Sequence, residues 1–323
     1  MEQHIERSAT ADAAHTPGRL DQVAARLFPE FSRARLQGWI RSGQLTLNGA
    51  TARPRDPVAC GAVLSLSAVL EEETSWRAQE MPLALVYEDE HFIVVDKPAG
   101  LVVHPGAGNT HGTLVNALLH HRPQLETLPR GGIVHRLDKD TSGLLVVAAS
   151  LMAHRSLVEQ LQSKTVRREY YAIARGCLTG GGTVDAPIGR HPQQRTHMAV
   201  RERGGREAVT HYRLLERYAH FTALAVQLET GRTHQIRVHL AHRGYPLLGD
   251  PVYGGRLRVP RGATQALLDA LDRFRRQALH ARRLAFKHPV TGELREFESP
   301  IPADLEALRE VLNTEDPWGT PRQ

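Results

Sequence analysis

The chain has 323 residues, of which 41% are hydrophobic and 24% are charged, and this composition excludes a wholly disordered protein and suits two domains. The net charge of +6 favours an anionic partner, although many basic proteins bind nothing acidic. Cys60 and Cys177 are the only cysteines, so we expect no disulfide framework. The sequence has no apolar run long enough to cross a membrane and no apolar signal core at the N-terminus. We therefore expect a protein of the reducing cytoplasm.

The chain begins with a polar, alanine-rich segment over residues 1–17 that shows no hydrophobic period, and we expect it to be a disordered tail. From residue 18 the pattern changes, because apolar side chains recur at positions i, i+3, i+4, i+7 and i+8 between Leu20 and Phe28. This spacing predicts an amphipathic helix, which Pro29 ends. We expect residues 18–70 to form a small α/β domain.

A second helix with several arginines follows in this domain, between a capping Ser32 and a terminating Gly43. Residues 44–49 predict a strand that ends in an Asn-Gly turn, and residues 64–69 alternate like a closing strand. This order resembles the small RNA-binding domain shared with a small-subunit ribosomal protein. The resemblance implies that five arginines contact RNA phosphates, although a solvated basic helix face is the alternative. These arginines are Arg33, Arg35, Arg41, Arg53 and Arg55.

An acidic run without hydrophobic period separates the small domain from the rest of the chain. We expect a linker over residues 71–82, which like charges keep extended. A second domain is expected over residues 83–312, with a C-terminal tail at 313–323. Its first apolar runs, at 85–87 and 92–95, predict a hairpin.

The remainder of the second domain contains more strands than helices. Many strands with few helices between them argue against a parallel βαβ order. The sequence therefore predicts an α+β fold, with helices packed on a mixed, largely antiparallel sheet. Helices are predicted at 113–119 and 152–161, and strands at 166–175, 209–215 and 221–228.

A short polar segment lies between two apolar runs, at 133–134 and 144–149, and glycines bound the stretch. Such runs predict buried strands, so the polar segment is expected to lie close to the core. Within it, Asp138 stands among cationic side chains, which favour the ionised carboxylate. An ionised, positioned carboxylate can act as a nucleophile. A polar turn without chemistry is the alternative that spacing alone favours.

The His-Arg-Leu-Asp string at 135–138, followed by Thr-Ser-Gly at 141–143, resembles the catalytic signature of the RluA family of pseudouridine synthases. The resemblance implies the pseudouridine synthase fold and a cofactor-free isomerisation of uridine in RNA, in which the C1′–N1 bond breaks and a C1′–C5 bond forms. It implies that Asp138 attacks C1′ directly or assists elimination to a glycal-like intermediate. It also implies that Arg136 fills the space left when the uridine leaves the stack.

Two further motifs carry the same resemblance. Tyr170 and Tyr171 are expected on opposite faces of a strand, and the resemblance implies that Tyr170 stacks on the target base and assists removal of its C5 proton. Capping and stop residues predict a helix over 234–243, with a strand as the rival. The resemblance implies that Arg237, in this segment, pairs with Asp138. A Lys-Pro-x-Gly turn that begins at Lys97 is implied to support the floor of the active site.

The cofactor and partner predictions follow from these motifs. The histidines at 234, 239 and 242 have no acidic or cysteine partner at zinc-like spacing, and we predict no metal. No phosphate-binding or dinucleotide loop is present, so no nucleotide cofactor is implied. The resemblance implies an enzyme that acts on large-subunit (23S) ribosomal RNA or a pre-ribosomal particle, and we expect a monomer. Two alternatives stay open: a same-family synthase for other ribosomal or transfer RNA uridines, and a non-catalytic RNA-binding assembly factor.

Overall fold

The computed structural model describes the chain except at its two ends and at a few internal positions. The described residues are 3–31, 33–70, 76–106, 109, 111–194, 196–256, 259–260 and 262–319. The chain divides into two compact units, Met1–Ser75 and Trp76–Gln323. This division falls within the predicted linker.

The second half of the predicted linker is part of the second unit. Trp76 packs against the main hydrophobic core of that unit. The backbone N–H of Gln79 donates to the carbonyl of Asn116 at 2.9 Å. The linker prediction is therefore wrong for residues 76–82, because an apolar ring and a backbone hydrogen bond anchor them. Residues 71–75 of that prediction lie outside the described residues.

The first unit contains five strands and two helices among its described residues. β1 pairs antiparallel with β5 along its whole length, so the prediction of a disordered tail is wrong for residues 3–10. Ile5 is buried in the core of the unit, but a single buried side chain does not produce a hydrophobic period in the sequence. The strand was not predicted because its pairing depends on backbone hydrogen bonds to the edge of β5. The elements are β1 (Gln3–Thr10), β2 (Gly18–Arg19), α1 (Leu20–Leu27), α2 (Arg33–Ser42), β3 (Leu45–Leu47), β4 (Pro57–Val58) and β5 (Val63–Leu70).

The helices and the turn predicted for the first unit are confirmed. α1 and α2 cover the predicted segments, and Gly43 follows α2 with a φ of +77°. In the turn after β3, Asn48 and Gly49 have φ values of 51° and 77°, a conformation that these two residue types adopt at little cost. Ser32, the predicted cap of α2, lies outside the described residues.

The second unit is built on one large sheet with helices packed on it. Its strands are β6 (Leu85–Glu88), β7 (Phe92–Lys97), β8 (Ser142–Ala148), β9 (Arg167–Arg175), β10 (Gly182–Asp185), β11 (Ile188–Arg190), β12 (Met198–Val200), β13 (Val209–Arg217), β14 (Phe221–Leu228), β15 (Leu279–Lys287) and β16 (Leu294–Glu298). Its helices are α3 (Leu114–His121), α4 (Leu151–Gln162), α5 (Gln235–His242), α6 (Gln265–Arg273) and α7 (Ala303–Glu315), with short 3-10 helices at Pro123–Thr127 and Pro129–Gly132.

The sheet is mixed and largely antiparallel, which confirms the predicted α+β class. Across the described residues, nine strands pair in the order β10-β13-β14-β9-β15-β8-β7-β6, with β16 also paired to β15. The neighbours are antiparallel except β8 and β15, which run parallel. β11 and β12 form a separate two-stranded ribbon.

Both faces of the sheet are buried, which explains the continuous apolar runs of its central strands. One face carries a single core that includes α3 and α5. On the other face, α4 covers β7 and β8, while α6 and α7 cover β9 and β14. Tyr170 belongs to the first face and Tyr171 to the second, as predicted from their positions on one strand.

The C-terminal boundary of the second domain lies later than predicted. α7 continues to Glu315, and the Asp316 carboxylate accepts from the backbone N–H of His220 at 2.8 Å. Beyond it, Trp318 lies beside the guanidinium of Arg217. The prediction of a tail from residue 313 is therefore wrong up to Trp318, because these contacts attach the segment to the sheet.

Candidate active site

The residues predicted to act in catalysis meet in one cleft of the second unit, with a volume of about 710 Å³. Asp138, Tyr170 and Arg237 all line it, although Asp138 and Arg237 are 99 residues apart along the chain. Arg136 lines the same cleft. The loop before β8, the strand β9 and the helix α5 therefore supply the candidate catalytic groups together.

The loop that carries Asp138 leads into β8, which approaches β15 closely. Gly143 has a φ of +111°, and a Cβ there would lie 2.3 Å from the carbonyl oxygen of Ala281. Only glycine permits this approach. Before it, the N–H of Thr141 donates to the carbonyl of Asp138 at 3.1 Å, which closes a tight turn next to the carboxylate.

Lys97 ties a second loop to the one that carries Asp138. Lys97 is only 1% exposed, and its Nζ donates to the carbonyl oxygens of Pro98, Leu101 and Lys139 at 2.8, 2.9 and 2.9 Å. Three acceptors match the three N–H bonds of an ammonium group. Because Lys139 follows Asp138 directly, this contact fixes the position of the candidate nucleophile.

The positive charge on Lys97 carries a large desolvation cost. Burial lowers the pKa of Lys97 to about 7, although the nearby carboxylates of Asp140 and Asp138 act in the opposite direction. The turn of residues 97–100 was implied to support the floor of the site. The contact with Lys139 gives that support a physical form, which the sequence alone did not provide.

Arg237 reaches Asp138 from α5. Its Nη1 donates to Oδ2 of Asp138 at 3.0 Å, with the Arg237 side chain 5% exposed and that of Asp138 17% exposed. The helix interpretation of this segment is confirmed, and the strand rival is wrong. However, the helix begins at Gln235 and not at the predicted residue 234. His234 occupies its N-cap position, and the Gln235 side chain holds the preceding turn.

Asp250 is a partner of Arg237 that sequence reasoning missed. Its Oδ2 and Oδ1 accept from Nε and Nη2 of Arg237 at 2.7 and 2.9 Å. Oδ1 also accepts from the backbone N–H groups of Val252 and Tyr253. The ring of Tyr253 lies under the same guanidinium, 5.0 Å from ring centroid to Cζ. A Gly-Asp turn after a helix was the available signal, but turn chemistry explained it equally well.

The charges in this group stabilise each other. Burial opposes ionisation of Asp250, but the hydrogen bonds from Arg237 hold the pKa of Asp250 below its usual range. Burial likewise opposes the cation of Arg237, yet the Asp250 and Asp138 carboxylates raise the pKa of Arg237. Arg237 therefore stays charged and oriented beside Asp138.

Tyr170 presents a neutral phenol to the cleft. Burial raises the pKa of Tyr170, and the Asp138 carboxylate adds to this effect while Arg168 opposes it. Tyr170 lines the cleft, so its phenol is available to a bound base. Its neighbour Tyr171 is buried on the opposite face of the sheet, away from this site.

The side chains of His135 and Arg136 have different surroundings: His135 binds the backbone of β8, and Arg136 lies at the cleft. The Nε2 of His135 accepts from the backbone N–H of Val146 at 3.1 Å, and burial lowers the pKa of His135 to about 3, so the ring is neutral. Arg136 is exposed at the cleft and has no hydrogen-bond or ion-pair partner among the described residues. The histidine therefore anchors the loop, and the arginine is free to contact a ligand.

Two family models match the chain. The model described as RNA pseudouridylate synthase matches residues 91–242, a range that contains Asp138, Tyr170 and Arg237. The model described as S4 domain matches residues 18–64, within the predicted small RNA-binding domain.

Curated relatives align along nearly the whole chain. The ribosomal large subunit pseudouridine synthase D of Pseudomonas aeruginosa is 57% identical over 97% of both chains. The protein of that name from Xanthomonas campestris is 56% identical over 95% of this chain and 92% of its own, and that from Escherichia coli K12 is 50% identical over 98% and 97%. The chain belongs to the RluA family of RNA pseudouridine synthases. It is therefore an isomerase, and the family prediction is confirmed.

Solved structures agree with this assignment of the fold. Human RNA pseudouridylate synthase domain containing 4 matches with a TM-score of 0.54 and 27% identity, over 70% of this chain and 93% of its own. Human RNA pseudouridylate synthase domain containing 1 matches with a TM-score of 0.52 and 27% identity, over 75% and 97%.

The five arginines predicted to bind RNA in the S4 domain of this synthase differ in their surroundings. Arg33 donates to the buried carboxylate of Asp21 at 2.7 Å, and Arg35 lies over the ring of Trp39. These two therefore also support the fold of the domain. The remaining three are exposed, and phosphate binding by all five stays a prediction. The exposed residues are Arg41, Arg53 and Arg55.

The described part of this synthase contains no group of three or more His, Cys, Asp or Glu side chains that could hold a metal ion. The absence of a metal and of any cofactor stays a prediction. No helix among the residues that the structure describes is long and apolar enough to cross a membrane.

Proposed function

We propose that this synthase isomerises specific uridines of large-subunit ribosomal RNA to pseudouridine, with Asp138 as its nucleophile. The observation that carries the proposal is the partly exposed carboxylate of Asp138, which Arg237 orients at 3.0 Å inside the cleft. Relatives named for the ribosomal large subunit match both domains, and they support the choice of substrate.

The two oxygens of Asp138 have different surroundings. Oδ2 is bound by Arg237, whereas Oδ1 accepts no hydrogen bond from the described residues. Oδ1 is therefore the atom available to attack C1′ of the ribose. Its attack sends the electrons of the C1′–N1 bond into the uracil, which rotates and bonds to C1′ through C5. Elimination to a glycal-like intermediate, with the same carboxylate assisting removal of a ribose proton, stays the alternative route.

The new C1′–C5 bond leaves one proton too many on C5 and one too few on N1. As a neutral phenol, Tyr170 accepts the C5 proton only if it passes its own proton on. Asp138, released when the new bond forms, is an acceptor that lines the same cleft. It passes the proton on to N1 through solvent, which completes the uracil and restores the carboxylate. Arg136 stacks in the space that the extruded uridine leaves, since its guanidinium is planar and exposed.

Arg33, Arg35, Arg41, Arg53 and Arg55 of the S4 domain contact RNA phosphates in this proposal. Such contacts strengthen binding at low salt and position the RNA without reading its sequence. The net charge of +6 supports an RNA partner of this kind. The partner is the large-subunit (23S) ribosomal RNA or a pre-ribosomal particle, and the enzyme acts as a cytoplasmic monomer.

The deciding experiment maps pseudouridines in large-subunit ribosomal RNA from cells that lack this enzyme. Complementation with the parent should restore the missing modifications, and Asp138→Asn should not, because the amide keeps the shape but not the nucleophile. Asp140→Asn is the matched control, since it removes a carboxylate two residues away in the same loop. RNA affinity of the Asp138 variant should stay within a few-fold of the parent.

Each alternative has its own outcome in this experiment. Missing pseudouridines in transfer RNA or at other ribosomal positions would replace the proposed substrate but keep the chemistry. Complete modification without the enzyme, together with defective ribosome assembly, would favour a non-catalytic assembly factor. Turnover by Asp138→Asn at even about a hundredth of the parent rate would remove Asp138 from the role of nucleophile.

A further inference from the structure

We propose that His234 is a positioning residue for the isomerisation, and that the Tyr253 hydroxyl fixes the imidazole tautomer that directs an Nε2–H bond toward Oδ1 of Asp138. This role rests on the nucleophilic role proposed above for Asp138. It gives that carboxylate a second donor besides Arg237.

The backbone of His234 has an unusual conformation. Its φ of 56° and ψ of 23° lie in the left-handed region, which few residues other than glycine occupy. The side chain of Gln235 holds this turn, because its Oε1 accepts from the N–H of Arg232 at 2.9 Å and its Nε2 donates to the carbonyl of Val209 at 3.0 Å. The turn places His234 in the wall of the cleft. Such conformations persist where a side-chain direction matters to function.

The hydroxyl of Tyr253 determines which ring nitrogen of His234 carries the proton. Its oxygen accepts from the backbone N–H of Met198 at 2.9 Å and lies 2.8 Å from Nδ1 of His234. Among the described residues, the O–H hydrogen has no other acceptor, so it is donated to Nδ1. The neutral imidazole then carries its proton on Nε2.

The protonated Nε2 faces the reacting oxygen. It lies 3.9 Å from Oδ1 of Asp138, whereas Nη1 of Arg237 lies 3.0 Å from Oδ2. At 3.9 Å there is no hydrogen bond, so Oδ1 keeps its lone pairs for attack. A movement of about 0.7 Å brings the two atoms into hydrogen-bond range. The donor is then in place to stabilise the negative charge that returns to Asp138 when its bond to C1′ breaks.

The groups around His234 favour its neutral form. Burial lowers the pKa of His234, and the cations of Arg237 and Arg136 act in the same direction. The carboxylates of Asp138 and Asp250 oppose them. Because the ring is neutral near pH 7, the contact with the Tyr253 hydroxyl selects its Nε2–H tautomer.

The test is a double-mutant cycle of His234→Asn and Tyr253→Phe, measured as single-turnover rates on unmodified large-subunit ribosomal RNA. Asparagine tolerates the left-handed backbone but is too short to replace Nε2. Phenylalanine keeps the ring under Arg237 and removes only the hydroxyl. We expect each single variant to lose about 10- to 100-fold in rate, and the double variant to lose no more than His234→Asn alone.

The pH dependence provides a readout that a purely structural role would not change. In Tyr253→Phe, the neutral ring can place its proton on Nδ1 and turn a lone pair toward Asp138. Protonation restores the Nε2–H bond. Because burial lowers the pKa of His234, the rate of this variant should recover only as the pH falls below about 6.5, the usual pKa of histidine. The double variant should show no recovery, because it has no imidazole.

Three outcomes would each overturn the role of His234. The first is a double variant whose rate loss equals the sum of the two single losses in free energy, and the second is a parental rate for His234→Asn. The third is a pH–rate profile of Tyr253→Phe that runs parallel to that of the parent. The role of Asp138 is tested separately, because Asp138→Asn is assayed with the same RNA. If that variant is active, the proposed nucleophile is wrong, whatever the cycle shows.

Discussion

Asp250 binds the Nε and Nη2 atoms of Arg237 at 2.7 and 2.9 Å, and this leaves Nη1 to reach Asp138. The planar guanidinium thus connects a fully buried carboxylate to a partly exposed one. Asp250 does not line the cleft, yet it sets the direction from which Arg237 meets the candidate nucleophile.

Replacing Asp250 should therefore slow the reaction without removing any contact between the enzyme and the RNA. We expect Asp250→Asn to lower the single-turnover rate by about 10- to 100-fold, because replacing a residue that orients an active-site group typically reduces activity by about this factor. Asp316→Asn is the control, since it also removes a buried carboxylate, from a site paired with His220. Thermal melts of both variants separate a loss of folding from a loss of rate. A parental rate for Asp250→Asn would mean that Arg237 needs no anchor.

Tyr170 and Tyr171 provide a matched pair for the role of the phenol. Tyr170→Phe keeps the ring and removes the hydroxyl that faces the cleft, so the rate should fall by about 100-fold or more while RNA affinity stays within a few-fold. Tyr171→Phe removes a hydroxyl on the opposite face and should leave the rate unchanged. Rates and binding constants on one RNA check both. Equal rates for parent and Tyr170→Phe would restrict Tyr170 to stacking.

Lys97 predicts a pH dependence of stability. Its pKa of about 7 in the folded protein lies below that of a free lysine, so between these values the unfolded chain binds a proton that the folded protein does not. The free energy of unfolding should therefore rise with pH above about 7, by up to about 1.4 kcal/mol per pH unit. Urea melts of Lys97→Met should lack this rise, whereas the exposed Lys287→Met should retain it. Equal slopes for parent and Lys97→Met would mean that the three carbonyl oxygens keep the lysine charged throughout.

The S4 domain predicts a change in salt dependence. Replacing Arg41, Arg53 and Arg55 with glutamine removes three exposed cations. The plot of log affinity against log salt concentration should therefore become shallower, with the magnitude of its negative slope smaller by about 2. A control with the same loss of charge replaces three exposed arginines that do not line the cleft, namely Arg77, Arg273 and Arg275. Binding titrations at several salt concentrations check both variants. An unchanged slope in the first variant would remove these arginines from the RNA interface.

Local periodicity was sufficient to predict most elements of both domains. The helices α1 and α4 bury an apolar stripe, and the strand of Tyr170 and the helix α3 bury continuous apolar runs; both patterns are visible in the sequence. β1 was missed because its pairing depends on the backbone edge of β5 and not on its own side chains. Trp318 was missed because a single aromatic residue after a helix makes no pattern.

The site was predicted only where a motif carried it. The resemblance supplied Asp138, Tyr170 and Arg237, and the contact between Asp138 and Arg237 is present. Asp250 and the three carbonyl partners of Lys97 could not be predicted, because they depend on how separate loops meet in three dimensions. Backbone acceptors in particular leave no trace in residue identity.

The parallel pairing of β8 with β15 also affects how this enzyme is made. His280 of β15 lies beside Ser142 of β8, and the two residues are 138 positions apart along the chain. A growing polypeptide thus releases the loop of Asp138 long before the strand that packs next to it has been synthesised. Until β15 emerges from the ribosome, β8 lacks that neighbour. The enzyme therefore cannot complete its own active site until β15 has been synthesised, and modification by any one copy begins only after that point.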